Sequence, residues 1–208
     1  MSRKKLPERY KLLRPYIEGK KVLDLGCIAH DWRQSSQENW MHRFIVEYAA
    51  EVQGLDILEE DARKLNQLGY NIKCGNAENF DLGTQFDVIF AGELLEHLED
   101  FRGFFESCKR HMKKDSKLII TTPNCFGLRY LSGHLLNKLN VPPEHTCWFD
   151  ERTLRHLLGR HDFQIDSIKY VSLDREFVKG IKAIMSRLLE KIPKSSPILF
   201  LIASKKES

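Results

Sequence analysis

No apolar run in this chain of 208 residues exceeds the six of "ILFLIA" at 198–203, far short of the roughly 20 that a membrane span requires. The polar start "MSRKK" has no export signature either, so a cytoplasmic protein without a transmembrane segment is expected. The five cysteines, Cys27, Cys74, Cys108, Cys125 and Cys147, are scattered, odd in number and never spaced CxxC. That pattern excludes a zinc ribbon and argues for reduced thiols rather than a disulfide framework. Charge of one sign is also scarce in excess: 33 Lys and Arg stand against 29 Asp and Glu, with basic residues gathered in "SRKK" and "SKK" near the ends. Solvated ends account for that balance without an anionic partner. There is no internal repeat and no low-complexity linker, which fits a single domain over 1–208. Glycine is sparse where a nucleotide loop would need it: "VLDLGCIAHD" (22–31) reads as a buried strand entering such a loop, with one glycine in place of three.

Short β-type runs do fill the chain: "KVLDLG" (21–26), "EVQGLDI" (51–57), "NIKCGNA" (71–77), "FDVIFAG" (86–92), "KLIITTPN" (117–124), "FQIDSIKYVS" (163–172) and "SPILFLIASK" (196–205). Between them apolar residues recur at helical spacing, as in Trp40, Phe44, Ile45 and Tyr48, or Leu98, Phe101, Phe104, Phe105 and Cys108. Strand and helix alternate, and the early strands show little polar alternation. The pattern predicts an α/β fold: a doubly wound, mostly parallel sheet with helices on both faces. In such sheets ligands sit beyond the carboxyl ends of the strands, near the reversal of strand order.

Four of those ends carry chemistry: Asp24-Leu25-Gly26-Cys27, then Asp56, then Asn76-Ala77-Glu78, then Gly92-Glu93-Leu94-Leu95-Glu96-His97. A carboxylate closing the second strand has two acceptor oxygens for a ribose diol, and Asn76 can accept from an adenine amino group. Singly, each residue is equally well a helix cap. In this order they point to an adenosine site.

Here the chain resembles a known family. "VLDLGC", "GLDI", "GNAENF", "FDVIFAGELLEHLED", "KLIITTPN", "EHTCWFDERTLRHLLGRHDF" and "LFLIASK" follow the successive motifs of class I S-adenosylmethionine-dependent methyltransferases over about residues 10 to 205. The "ExxEH" after the fourth strand is similar to that of the ubiquinone-pathway O-methyltransferase branch. The resemblance implies a Rossmann-like sheet of seven strands whose last is antiparallel. It implies S-adenosylmethionine as cofactor, with Asp24 near the methionine amino group, Gly26, Cys27 and His30 in the loop beneath it, and Asp56 on the ribose. Ile57, Asn76, Ala77 and Glu78 would surround the adenine, Gly92 would underlie the methionine moiety, and Arg14 in "LRPYI" would reach the cofactor.

The opening loop departs from the family's (D/E)xGxGxG pattern, placing Ile28 and His30 where glycines are usual. A β-branched residue at positive φ is strained, so the loop is expected to take another path after Cys27. Glu93, Glu96 and His97 fall at i, i+3 and i+4, one face of a helix beginning near Glu93, and His145 offers a fourth ligand. This set suits Mg²⁺ or another divalent metal, with His97 and His145 as the candidate catalytic residues; acids at a helix start and a packed imidazole are the other reading. Ser35, three residues before Glu38, is the pattern of a capping box opening the next helix, whose Trp40 and His42 could face a substrate or the core. Two insertions, near 125–149 and 174–195, would cap the substrate side. The second carries Phe177, Ile181, Ile184 and Leu188 at helical spacing between lysines, a cap or a peripheral membrane contact.

The reading is therefore a methyltransferase, acting on oxygen of a small-molecule or carrier-linked acceptor such as a sugar, quinone precursor or diol. Two alternatives stand beside it: an RNA 2′-O-methyltransferase using the Glu/Glu/His/His set, and a non-catalytic adenosine-binding domain. The slight basic excess and the lack of an RNA-binding module weigh against nucleic acid.

Overall fold

The computed structural model describes residues 6–28, 30–138, 141–172 and 193–206. Seven strands form one sheet: β1 (Lys21–Leu25), β2 (Glu51–Asp56), β3 (Ile72–Cys74), β4 (Phe86–Gly92), β5 (Met112–Pro123), β6 (Phe163–Val171) and β7 (Ile198–Lys205). Their spatial order is β3-β2-β1-β4-β5-β7-β6. Pairings from β3 to β5 are parallel, and β7 runs antiparallel to both β5 and β6. The sheet is the one predicted, including the antiparallel last strand.

Side-chain alternation along the strands divides the core into two layers. Val22, Val88, Phe90, Ile119, Phe200 and Ile202 face α1 (Glu8–Ile17) and α2 (Met41–Tyr48), packing with Tyr10, Leu13, Ile17, Phe44 and Ile45. Their neighbours Leu23, Ile89, Leu118, Ile120, Leu199 and Leu201 face the other way, onto Phe104, Phe105 and Cys108 of α4 (Phe101–Arg110) and Leu154 and Leu158 of α6 (Glu151–Arg160). A strand buried on both faces needs apolar residues at successive positions, which is why these strands read as continuous runs. A third, smaller cluster joins α3 (Glu59–Gln67) to the loop after β1 through Ala62, Leu65, Ile28 and Trp40. The remaining helix among the described residues, α5 (Leu128–Leu135), lies in the first predicted insertion. The second insertion lies outside the described residues over 173–192, and the amphipathic reading made of it there goes with it.

Two sequence expectations are corrected. β5 begins at Met112 rather than 117, because the polar stretch 113–116 bulges between the pairs Phe86↔Met112 and Val88↔Lys117. Ser116 closes the bulge by donating to the Phe86 carbonyl while accepting from Lys113 N–H. The capping box at Ser35 does not form: Ser35 lies within a 3₁₀ turn, Trp32–Ser36, capped by Asp31, whose carboxylate accepts from Arg33 N–H. α2 starts later, at Met41, with Trp40 at its N-cap and no side-chain cap.

Candidate active site

Strand order reverses between β1 and β4, and a cavity of about 920 Å³ opens at that point, beyond the carboxyl ends of β1, β2 and β4. Its lining includes Asp24, Asp56, Asn76, Gly92, Glu96 and His145. The opening loop solves its glycine shortage by moving its left-handed residues. Gly26 takes φ +65° and His30 takes φ 66°, so Ile28 avoids positive φ. Ile28 instead turns its side chain into the small cluster beside α3, and its N–H donates to Asp56 Oδ2 at 2.8 Å. Trp40 holds the loop from the other side, its indole N–H donating to the Cys27 carbonyl at 2.9 Å. A Cβ at Gly26 would come within 2.9 Å of Leu94 Cδ1, so the loop lies close against the segment after β4.

Asp24 is buried and lines the cavity; His42 Nδ1 lies 2.8 Å from its Oδ2. Burial pushes the Asp24 carboxyl up, and the bond from His42 opposes this. His42 is therefore a buried partner of Asp24, and it and Trp40, both almost fully buried, form part of the cavity wall. Asp56 accepts backbone N–H bonds at both oxygens, from Ile28 and from Leu58 at 3.1 Å, which fixes its carboxylate at the end of β2. Each oxygen keeps a second lone pair for a ligand. Ile57 is 68 % exposed on the cavity wall.

Asn76 Oδ1 accepts from Glu78 N–H at 2.8 Å, closing its own turn. Glu78 borders the cavity with its carboxylate committed elsewhere: Oε1 accepts from the N–H groups of Glu99 and Asp100. Those bonds hold its carboxyl below the ordinary range. Glu78 thus ties the loop after β3 to the loop before α4 while still bordering the cavity beside Asn76, where Asn76 Nδ2 donates to its Oε2.

Arg14, by contrast, is corrected. It pairs with Glu18 at 3.2 Å and lies over the Tyr48 ring at 4.4 Å, away from the cavity. Sequence reasoning missed Arg9, five residues earlier on α1, which does line the cavity and whose charge acts on Glu93. Helical spacing was the available signal: with Tyr10, Leu13 and Ile17 marking the buried stripe, the two arginines lie on its opposite flanks, about 140° apart.

The segment after β4 is not the helix expected. Glu93 takes φ 52°, breaking helical spacing, and only a 3₁₀ turn, Leu95–His97, precedes α4. The i, i+3, i+4 face therefore does not form, and the four-residue ligand set is corrected to three. Glu96, His97 and His145 bring ligand atoms within 4.8 Å of one another, and Glu93 is not in that group. His97 and His145 meet edge to face at 4.7 Å between ring centroids. Thr146 braces the arrangement, its N–H donating to the Glu96 carbonyl and its hydroxyl to that of Leu98. Glu96 Oε2 accepts from Thr122, whereas Glu96 Oε1, Glu93 Oε1 and His145 Nδ1 are buried without a partner among the described residues. Burial, with the Glu93 charge beside it, pushes the Glu96 carboxyl up to about 8. Burial also lowers both imidazoles, keeping them neutral and free to accept a proton or ligate.

A Rossmann-like sheet in this strand order, with carboxylates closing β1 and β2 around a cavity at the switch point, defines a class I S-adenosylmethionine-dependent methyltransferase. Residues 2–168 match the family described as "Methyltransferase domain", and the chain belongs to it. Among curated relatives, the chain is 27% identical over 195 residues to the ubiquinone biosynthesis O-methyltransferase of Coxiella burnetii, covering 82% of this chain and 77% of that one. Two solved structures share the fold. An S-adenosylmethionine-dependent methyltransferase of Archaeoglobus fulgidus superposes with TM-score 0.64 at 21% identity over 95% of this chain and 91% of that one. One from Mesorhizobium loti gives 0.63 at 18% identity, over 95% and 96%. No described helix is long and apolar enough to cross a membrane.

Proposed function

We propose that the enzyme methylates a hydroxyl oxygen of a small or carrier-linked acceptor, with Asp24 taking the amino group of the cofactor's methionine, Asp56 its ribose, and Glu96, His97 and His145 a divalent cation at the acceptor. The observation that carries this reading is the cavity itself, which brings the carboxylates of β1 and β2 and the Glu96–His97–His145 cluster to one space. S-Adenosylmethionine, when bound, supplies an electrophilic methyl group, so the protein's work is to align and deprotonate the acceptor.

The donor set fits a metal. Glu96 Oε1 and His145 Nδ1 are buried lone-pair atoms without partners among the described residues, and mixed carboxylate and imidazole ligands suit a divalent first-row ion or Mg²⁺. One ring nitrogen of His97 hydrogen-bonds the Glu144 backbone, which orients the ring and leaves the other nitrogen to ligate. A cation held there would lower the pKa of an acceptor hydroxyl. The Coxiella relative's name, at 27% identity, supports a quinone precursor as the acceptor class. The carboxylates at the ends of β1 and β2, Asp24 and Asp56, favour a cationic cofactor over a polyanion, which speaks against RNA.

Calorimetric titration with S-adenosylmethionine and S-adenosylhomocysteine tests the cofactor site. Micromolar binding that Asp56→Ala weakens at least tenfold is expected; no binding to folded protein would leave a non-catalytic domain. Manganese titrated into the wild type and into His145→Ala tests the metal site, the variant losing the binding.

A further inference from the structure

Among the buried polar groups at the cavity, His42 has no part in the reading above. It sits on α2, 1% exposed, with Nδ1 2.8 Å from Asp24 Oδ2 and with Nε2 buried and without a partner among the described residues. An N–H at Nε2 would be a buried donor with no acceptor among the described residues, so the geometry favours the tautomer with its hydrogen on Nδ1. That hydrogen donates to Asp24. The ring is held by Trp40, centroids 5.1 Å apart, and by Tyr70 at 5.7 Å. Trp40 in turn is tied to the Cys27 carbonyl. Among the described residues, Oδ2 of Asp24 has this one partner and Oδ1 has none.

We propose that His42 is a positioning residue for the cofactor's methionine end: it fixes the Asp24 carboxylate so that Oδ1 meets the ligand's ammonium group. This rests on the cofactor reading above. A carboxylate locked by one hydrogen bond presents its remaining oxygen in a single direction and loses less freedom on binding.

The test compares two ligands on the wild type, His42→Phe and His42→Asn. S-Adenosylhomocysteine carries the amino acid end; 5′-methylthioadenosine lacks it. In His42→Phe the ring packing stays and the donor goes, so affinity for S-adenosylhomocysteine should fall about tenfold while that for methylthioadenosine holds within twofold. In His42→Asn the amide N–H stands near the Nδ1 position and should recover most of the loss. Equal losses for both ligands would mean that His42 only supports the fold locally, and no loss would mean that Asp24 needs no partner; either overturns the proposal while the cofactor reading stands. A wild type that binds neither ligand overturns both.

Discussion

Glu96 carries an electrostatic consequence that a pH series can read. Its carboxyl is raised to about 8 by burial and by Glu93, whereas the unfolded chain releases that proton near the ordinary carboxylate value. Between those pH values the folded state holds a proton that the unfolded state has lost, so stability falls as pH rises through the window. Thermal melts from pH 5 to 8.5 in chelator should show Tm declining for the wild type and a flatter curve for Glu96→Gln; parallel curves would remove the assignment. Manganese added at pH 8 should raise the wild-type Tm and leave that of the variant in place. Gly26→Ala is the steric counterpart. Its φ of +65° and the approach to Leu94 should cost about 1–2 kcal/mol of stability, read as a lower denaturant midpoint, and weaken cofactor binding. At this scale the sequence was legible in part. Asp24, Asp56 and Glu96 stand where strand-end logic puts them, because a strand's end and its loop are adjacent in the chain. The Asp24–His42 bond joins residues 18 apart through helix-on-sheet packing, and nothing in local spacing announces it.

The elements around the cavity are fastened to one another by a few side chains, and Glu78 fastens two of them. Its Oε1 accepts from Glu99 and Asp100 N–H, anchoring the loop that leads from the Glu96 segment into α4 to the loop after β3. Glu78→Ala leaves two donors without their acceptor, a loss of about 1–3 kcal/mol seen as a drop in Tm of several degrees. Because the fold lowers this carboxyl, its contribution is present above the ordinary value and is lost as pH falls through the depressed one. The variant's deficit should therefore shrink in acid; a deficit constant with pH would mean that packing, not the charge, was removed. Element types were legible wherever burial on both faces forced apolar runs, as in β1, β4 and β7. They were not legible after β4, where left-handed Glu93 turns a helix-like spacing into a short 3₁₀ turn, nor at 113–116, where a polar bulge conceals the start of β5.

The molecule as a whole is stitched by β7, whose residues alternate between the two helical layers: Phe200 and Ile202 face α1 and α2, Leu199 and Leu201 face α4 and α6. A lesion there is felt on the sheet as a unit. Phe200→Ala should cost about 3–5 kcal/mol, lowering the urea midpoint with the slope unchanged; a second transition would mean that the layers unfold separately. The same strand sets an order of events during synthesis. Among the described strands β6 pairs with β7 alone, yet 26 residues separate Val171 from Ile198. At ribosomal speeds of about 5–20 residues per second, β6 spends a few seconds with both edges bare. For that interval the nascent chain is a natural client for a chaperone, and a slowed codon between the two strands would lengthen the wait.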